Sequence, residues 1–214
     1  MNIQDILPFK LKDQEIDFAD KCRENLLYWA NQGSEGYMND ECWYTEANEF
    51  CKALVKDLKL TSFFKCEESE AVEIVAKVIS ALSPQNKWER NKEDAKTLIA
   101  AYILGADLTN IKPCTFKSNK RKAIKILDRE PVSWGNKTGS FWKNICLSDK
   151  AVTIDLWHLR AVKNGVVEND FNSLTNRRYK IIEAVTKVLA YENNMLGYQF
   201  QSVVWVNIRN EWIY

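Results

Sequence analysis

Ser133-Trp134-Gly135-Asn136-Lys137-Thr138 and, beyond it, Val152-Thr153-Ile154-Asp155-Leu156-Trp157-His158-Leu159-Arg160 form the stretch that decides how this chain is read. A glycine turn that delivers a lysine to one helix start, with an aspartate at the next helix start, can place an amine and a carboxylate in one cleft. That pair suits chemistry at a sugar carbon: the amine attacks, and the carboxylate supports the positive charge that develops.

Lys137 also has an ordinary reading as a solvated lysine at a turn. In the functional one it occupies the first turn of a helix, where the dipole disfavours a cation. With partial burial this predicts a raised fraction of neutral amine. Asp155 likewise suits a plain N-cap, its carboxylate accepting orphan amides at the start of an apolar helix. The two together, in this order and spacing, favour chemistry. The turn Ser133-Trp134-Gly135-Asn136 would bring backbone amides to a DNA phosphate, with the positive end of the following helix facing it.

Outward from this stretch, the residues from Pro113 to Ile145 carry eight Lys or Arg (117, 120, 121, 122, 125, 129, 137 and 143) against Asp128 and Glu130. The local excess can track a phosphate backbone, with Lys120, Arg121 and Lys122 as its centre, although a charge run is also an ordinary solvated helix face. Net charge over the 214 residues is only +1, so any nucleic-acid contact rests on this local patch. Among eight tryptophans, Trp88, Trp134, Trp142 and Trp157 stand near candidate site residues and can stack an extruded base, whereas Trp205 and Trp212 read as core.

The apolar spacing is helical almost throughout, which predicts an all-α fold. Helices are expected from about Ile16, with Ala19, Cys22, Leu26 and Trp29 on one face, ending at a Gly33–Gly36 turn. The next starts near Asp40 and carries Ala47, Phe50, Cys51, Leu54 and Leu58. Ser69 and Asn91 are expected caps of two more, with Pro84 between them, and the second stops at Gly105. Ser118 opens a basic helix to Leu127. Thr138–Leu147, Leu156–Lys163, Thr175–Glu192 and Tyr198–Trp212 complete the set, and 163–176 is the most flexible-looking stretch. Six scattered cysteines without Cys-x-x-Cys read as reduced thiols, mostly core, in a cytoplasmic protein. A single histidine argues against zinc. The amino terminus lacks the pattern of a signal peptide, and no apolar run approaches the roughly 20 residues of a membrane span.

The quoted motifs resemble the core of the helix-hairpin-helix DNA glycosylase superfamily, which includes endonuclease III, the adenine-mismatch glycosylase and 8-oxoguanine glycosylase, and within it small members associated with phages and mobile elements. Lys137 and Asp155 fall on the positions of its lysine and aspartate. Leu82-Ser83-Pro84-Gln85-Asn86 is similar to its Leu-Ser-x-Gln stretch, whose glutamine fills the hole left by an extruded base. Ser133 replaces the first hairpin glycine. His158 stands one residue beyond the family's histidine position, which favours a core or phosphate-facing role. The last cysteine is Cys146, so the iron–sulfur cluster of endonuclease III has no ligands here.

The resemblance implies a two-lobed helical glycosylase-like fold with a central cleft, residues 1–65 contributing an N-terminal helical segment to one lobe and 66–214 forming the core. It implies a monomeric DNA glycosylase with abasic-site lyase activity, acting on double-stranded DNA with a damaged or modified base and requiring no cofactor. Lys137 and Asp155 would be catalytic. Ser133, Trp134, Gly135, Asn136 and Thr138 would hold DNA with the basic helix. Gln85, Asn86, Trp88, Trp142, Trp157 and His158 would form the base pocket or wedge. A monofunctional glycosylase with Asp155 positioning water, a non-catalytic hairpin protein and a helical partner-binding protein remain alternatives.

Overall fold

A computed structural model describes residues 1–32, 43–164 and 174–211; among them there are helices and no strand. In chain order the helices are α1 (Ile3–Ile6), α2 (Asp13–Ala30), α3 (Trp43–Asp57), α4 (Leu60–Phe64), α5 (Glu68–Leu82), α6 (Trp88–Ile103), a 3-10 turn (Leu108–Asn110), α7 (Lys117–Leu127), α8 (Asn136–Ile145), α9 (Leu156–Val162), α10 (Asn176–Glu192) and α11 (Gly197–Glu211). None is long and apolar enough to cross a membrane. The Gly33–Gly36 turn, the start near Asp40, Trp212 and most of 163–176 lie outside the described residues.

The helices divide into two units. One joins residues 1–44 to 147–214, and the other is 45–146. The division expected at 65/66 therefore falls inside the second unit. The reason is that α5 packs on both α4, before that point, and α6, α7 and α8, after it.

Each unit is built on one helix that is buried over most of its length. In the second unit α5 buries ten of its residues, from Ala71 to Leu82, and packs against α4, α6, α7 and α8. In the first, α10 buries Tyr179 and nearly every residue from Ile181 to Ala190, and packs against α1, α2 and α11. A helix buried on most of its sides gains its stability from the packing around it. Ala19, Cys22, Leu26 and Trp29 form the buried face of α2, as their spacing predicts. Burial pushes the Cys22 and Cys146 thiols up to about 12, while Cys114 is exposed.

Two expected caps are elsewhere. Glu67 precedes α5, so Ser69 lies inside its first turn. Lys87 precedes α6, and Asn91 is buried one turn in, its side-chain amide donating to the Ile79 carbonyl at 3.1 Å. A cross-helix bond to an otherwise unpaired buried carbonyl outweighs a local cap. α5 stops as Pro84 predicts. Proline has no N–H to give the Ser80 carbonyl, and the Ser83 hydroxyl takes that carbonyl instead at 2.9 Å.

The decisive local feature is the non-helical segment Ala151–Asp155. Ala151 to Ile154 are all buried in the first unit, with no neighbouring strand among the described residues to satisfy their backbone. Side chains of α10 do so. The Tyr179 hydroxyl donates to the Val152 carbonyl (2.9 Å) and accepts from the Ile154 amide (3.2 Å). The Glu183 carboxylate accepts from the Val152 amide at 3.2 Å. Lys187 donates to the Lys150 carbonyl at 3.0 Å. Residues 179, 183 and 187 recur every four positions, so one stripe of α10 acts as the missing strand. A side chain at Gly197 would bring its Cβ to 2.9 Å from Val152 Cγ2, so only glycine lets α11 begin this close to the segment.

Tyr179→Phe keeps the ring and removes both hydroxyl bonds, leaving a buried carbonyl and a buried amide unpaired. A loss of about 1–3 kcal/mol is expected in chemical denaturation. A loss below about 0.5 kcal/mol would show that apolar packing alone holds the segment.

Candidate functional site

Asp155 ends the buried segment and caps α9. One carboxylate oxygen accepts from the His158 amide at 2.9 Å, and the other accepts from the Trp205 indole N–H at 2.9 Å. Trp205 is therefore half-buried and engaged with the carboxylate, not a core residue as its spacing suggested. Its ring lies 5.4 Å from that of Trp43. Next to Trp43, the buried Tyr44 donates to Gln201 at 2.9 Å and hydrogen-bonds Thr153; burial raises its phenol well above the ordinary range. The half-buried Trp157 carries the Arg160 guanidinium 4.3 Å from its ring centre.

His158 has no access to a pocket: it is fully buried. Thr186 gives its hydroxyl proton to the Ile182 carbonyl (2.8 Å), so the 3.1 Å contact with His158 Nε2 makes that nitrogen the donor and leaves the proton off Nδ1. Desolvation holds the ring pKa down to about 3. His158 is a neutral core residue, and its place in a base pocket is withdrawn.

Asp155, Trp157 and His158 belong to the first unit and the remaining sequence-derived candidates to the second. There, Gly135 is the N-cap of α8, with φ −73° and ψ 159°. It is extended, and no atom lies within 4 Å of where its Cβ would be. The expected tight glycine turn is therefore absent. The chain reverses instead at Arg129, with φ 61°, which bonds the Phe64 carbonyl and pairs with Glu70. Residues 130–135 then run without helix into α8. Lys137 is the second residue of α8 and is exposed, contrary to the partial burial expected. Ser133 and Asn136 are exposed beside it. The first turn of α8 is anchored from below, where the buried Ser80 hydroxyl of α5 donates to the Thr138 carbonyl at 2.7 Å.

Trp134 folds back on this turn. Gly139 leaves room for it, since a Cβ there would come within 3.2 Å of Trp134 Cβ. Its ring is 6.2 Å from Trp142. Lys122 lies 5.0 Å over Trp134, and Lys77 lies 4.8 Å over Trp142. Trp134 also lines a 440 Å³ cavity with Ile74, Lys77, Glu70 and Arg129. Lys120, by contrast, turns inward: its ammonium donates to the Leu108 and Ile111 carbonyls. It stitches the 3-10 turn to α7, so of the three central cations Arg121 is the exposed one and Lys120 is structural. Trp88 begins α6, half-buried under Lys92 at 5.5 Å.

Gln85 stands exposed at the tip of the α5–α6 turn. Its φ is 61°, and the Asn86 amide closes the turn on the Ser83 carbonyl at 3.0 Å. Asp94, which no motif marks, holds this turn. Its buried carboxylate accepts from Asn86 Nδ2 (3.0 Å), Arg90 Nε (2.8 Å) and the Cys114 amide (2.7 Å). Trp205, Tyr179, Glu183 and Asp94 are the residues missed by sequence reasoning. For Tyr179, Glu183 and Thr186 a signal existed: polar residues at spacings of four and three, set among the apolar run from Ile181 to Ala190, mark a buried polar stripe.

The chain belongs to the family of unknown function DUF7178, whose profile matches residues 14–212. No curated protein and no solved structure matches it.

Because the chain has one histidine, its ring signal is unambiguous in NMR. The ring shifts of His158 are expected to stay flat from pH 8 to pH 5. With the folded pKa depressed to about 3, the neutral ring contributes stability that is present above its ordinary value of 6.5 and lost as pH falls from 6.5 toward 3. A midpoint near 6.5 would place the ring in solvent.

Proposed function

We propose that this chain is a DNA N-glycosylase with an associated abasic-site lyase activity, acting on double-stranded DNA that carries a damaged or modified base. The two units would correspond to the two lobes of a helix-hairpin-helix glycosylase-like fold. The observation that carries the proposal is the fixed carboxylate of Asp155. A cap needs one of its oxygens, yet both are bound by N–H donors, and the segment leading to it is secured by α10. A carboxylate held in this way keeps its negative charge in a fixed direction, as support of a developing positive charge requires. Preorganised electrostatics of this kind is usually the largest single contribution to enzymatic catalysis.

In the reaction, the amine of Lys137, after giving up its proton, attacks C1′ of the target nucleotide. The C1′–N bond breaks, and the base leaves with that electron pair and takes up a proton. Asp155 supports the positive charge on the sugar as this happens. Loss of one proton from the attached nitrogen lets its lone pair open the C1′–O4′ bond; O4′ takes up a proton and an iminium is left, its nitrogen keeping one hydrogen. Removal of a C2′ proton then expels the 3′ phosphate and nicks the strand. Gln85, exposed at a turn held by Asp94, would enter the space vacated by the base.

One observation favours a second reading, a DNA-binding protein without chemistry: Lys137 is exposed, without the partial burial that the lysine chemistry calls for. Oligonucleotides that each carry uracil, 8-oxoguanine, 3-methyladenine, 5-hydroxymethyluracil or glucosylated cytosine test for excision and identify the base. Borohydride is expected to trap the native protein covalently on abasic DNA and to give no adduct with Lys137→Gln. Equal yields would remove Lys137 from the chemistry, and excision retained without an adduct would point to a monofunctional enzyme.

Asp155→Asn keeps a side chain that caps a helix but loses the charge. It is expected to fold with a stability loss near or below about 1 kcal/mol, to bind DNA normally and to excise roughly 100-fold more slowly. Melting, binding and single-turnover measurements check this, and unchanged excision would leave Asp155 as a plain cap.

A further inference from the structure

Trp157 carries two guanidinium groups. Arg160 reaches it from one turn along α9, at 4.3 Å from the ring centre, and Arg209 reaches it from α11 at 5.9 Å. Arg209 also lies 4.4 Å over Trp205, the indole that donates to Asp155. Both arginines are half-buried. Guanidinium groups stay protonated in proteins, so two like charges share one indole. Among the described residues no carboxylate pairs with Arg209, and its Nε is buried without an acceptor. A guanidinium is the side chain whose planar fork of N–H donors can grip a phosphate by two oxygens.

We infer that Arg160 and Arg209, arrayed on Trp157, form a phosphate-binding site that takes a backbone phosphodiester of DNA. The inference rests on the function proposed above and adds a second anion contact, carried by the unit that holds Asp155. Residues 155, 157 and 160 span the start of one short helix, so a phosphate gripped here is set in fixed register with the carboxylate. The DNA-contact residues expected from the sequence lie in the other unit, from 120 to 138.

The test is the salt dependence of binding to an undamaged duplex and to an abasic duplex, read by fluorescence anisotropy. Arg209→Gln is expected to flatten the log–log slope by up to about 0.9 for the lost contact, equally on both duplexes. Arg209→Lys keeps the charge and is expected to keep the slope. A side chain that only packs against the indoles would move neither. Arg160→Gln, which leaves α11 intact, is expected to repeat the effect and stands in if Arg209→Gln does not fold. Inorganic phosphate alone should compete weakly with DNA; strong competition would assign the site to the free anion and overturn the DNA contact. A wild-type slope in both Gln variants, or no DNA binding by the native chain, overturns the inference. If the native chain excises base while the Gln variants keep its slope, only this inference fails. If the slope falls as expected but no base is excised, the site stands and the glycosylase assignment fails.

Discussion

A buried stretch of non-helical backbone inside a helical core is the constraint on which the first unit depends. Val152 and Ile154 are needed in the core, and burying them takes their amides and carbonyls out of water. Leaving such groups unpaired costs about 1–3 kcal/mol each. In a sheet the neighbouring strand would pair them. Here Tyr179, Glu183 and Lys187 do, and each choice has a consequence. Glu183 brings a carboxylate inside, so Lys180 at 2.7 Å and Lys187 at 3.3 Å come with it. α11 must start against Val152, so its first residue is glycine. With α11 placed there, Trp205 meets Asp155 and Arg209 meets Trp157.

The second unit shows the same logic at a smaller scale. Gln85 and Lys137 are exposed, but the turns that display them are held by buried polar groups. Asp94 ties the Gln85 turn to α6 and to the backbone at Cys114, and its three donors make its burial tolerable. Ser80 spends its hydroxyl on the Thr138 carbonyl. Ser80 lies among apolar buried residues of α5, and Asp94 shares its buried face of α6 with Asn91, so the rigidity of the exposed residues comes from polar groups inside.

The helices and their apolar faces were legible in the sequence because spacing alone decides which residues can share a face. Ala19, Cys22, Leu26 and Trp29, and the run from Val72 to Leu82, needed nothing else. Caps were less legible. Ser69 and Asn91 have the right chemistry for a helix start, but a start is set where packing stops rewarding helix, and Asn91 was worth more across to Ile79. Gly135 suggested a tight turn because glycine permits one; permission does not require it, and the left-handed residue is Arg129. Lys120 looked like its neighbours in a basic run, and only the fold reveals the two carbonyls that recruit it. At the candidate site, Asp155 as a helix cap followed from sequence, whereas Trp205, fifty residues away, could not.

That indole separates two uses of the same carboxylate. A cap is complete when one oxygen meets the His158 amide, and the second oxygen could be left to solvent at no loss of helix stability. Trp205 takes it instead, although the indole is only half-buried and its N–H could have bonded water. Fixing both oxygens removes the rotation of the carboxylate about its last bond, which a cap does not require and an electrostatic partner does: the benefit of a preorganised charge depends on its not having to turn when the positive charge appears. The stacks continue the constraint outward, since Arg209 clamps Trp205 and Arg160 lies on Trp157, so neither indole beside the carboxylate is free to swing. The rigidity gathered at this helix start therefore exceeds what α9, only seven residues long, needs in order to form.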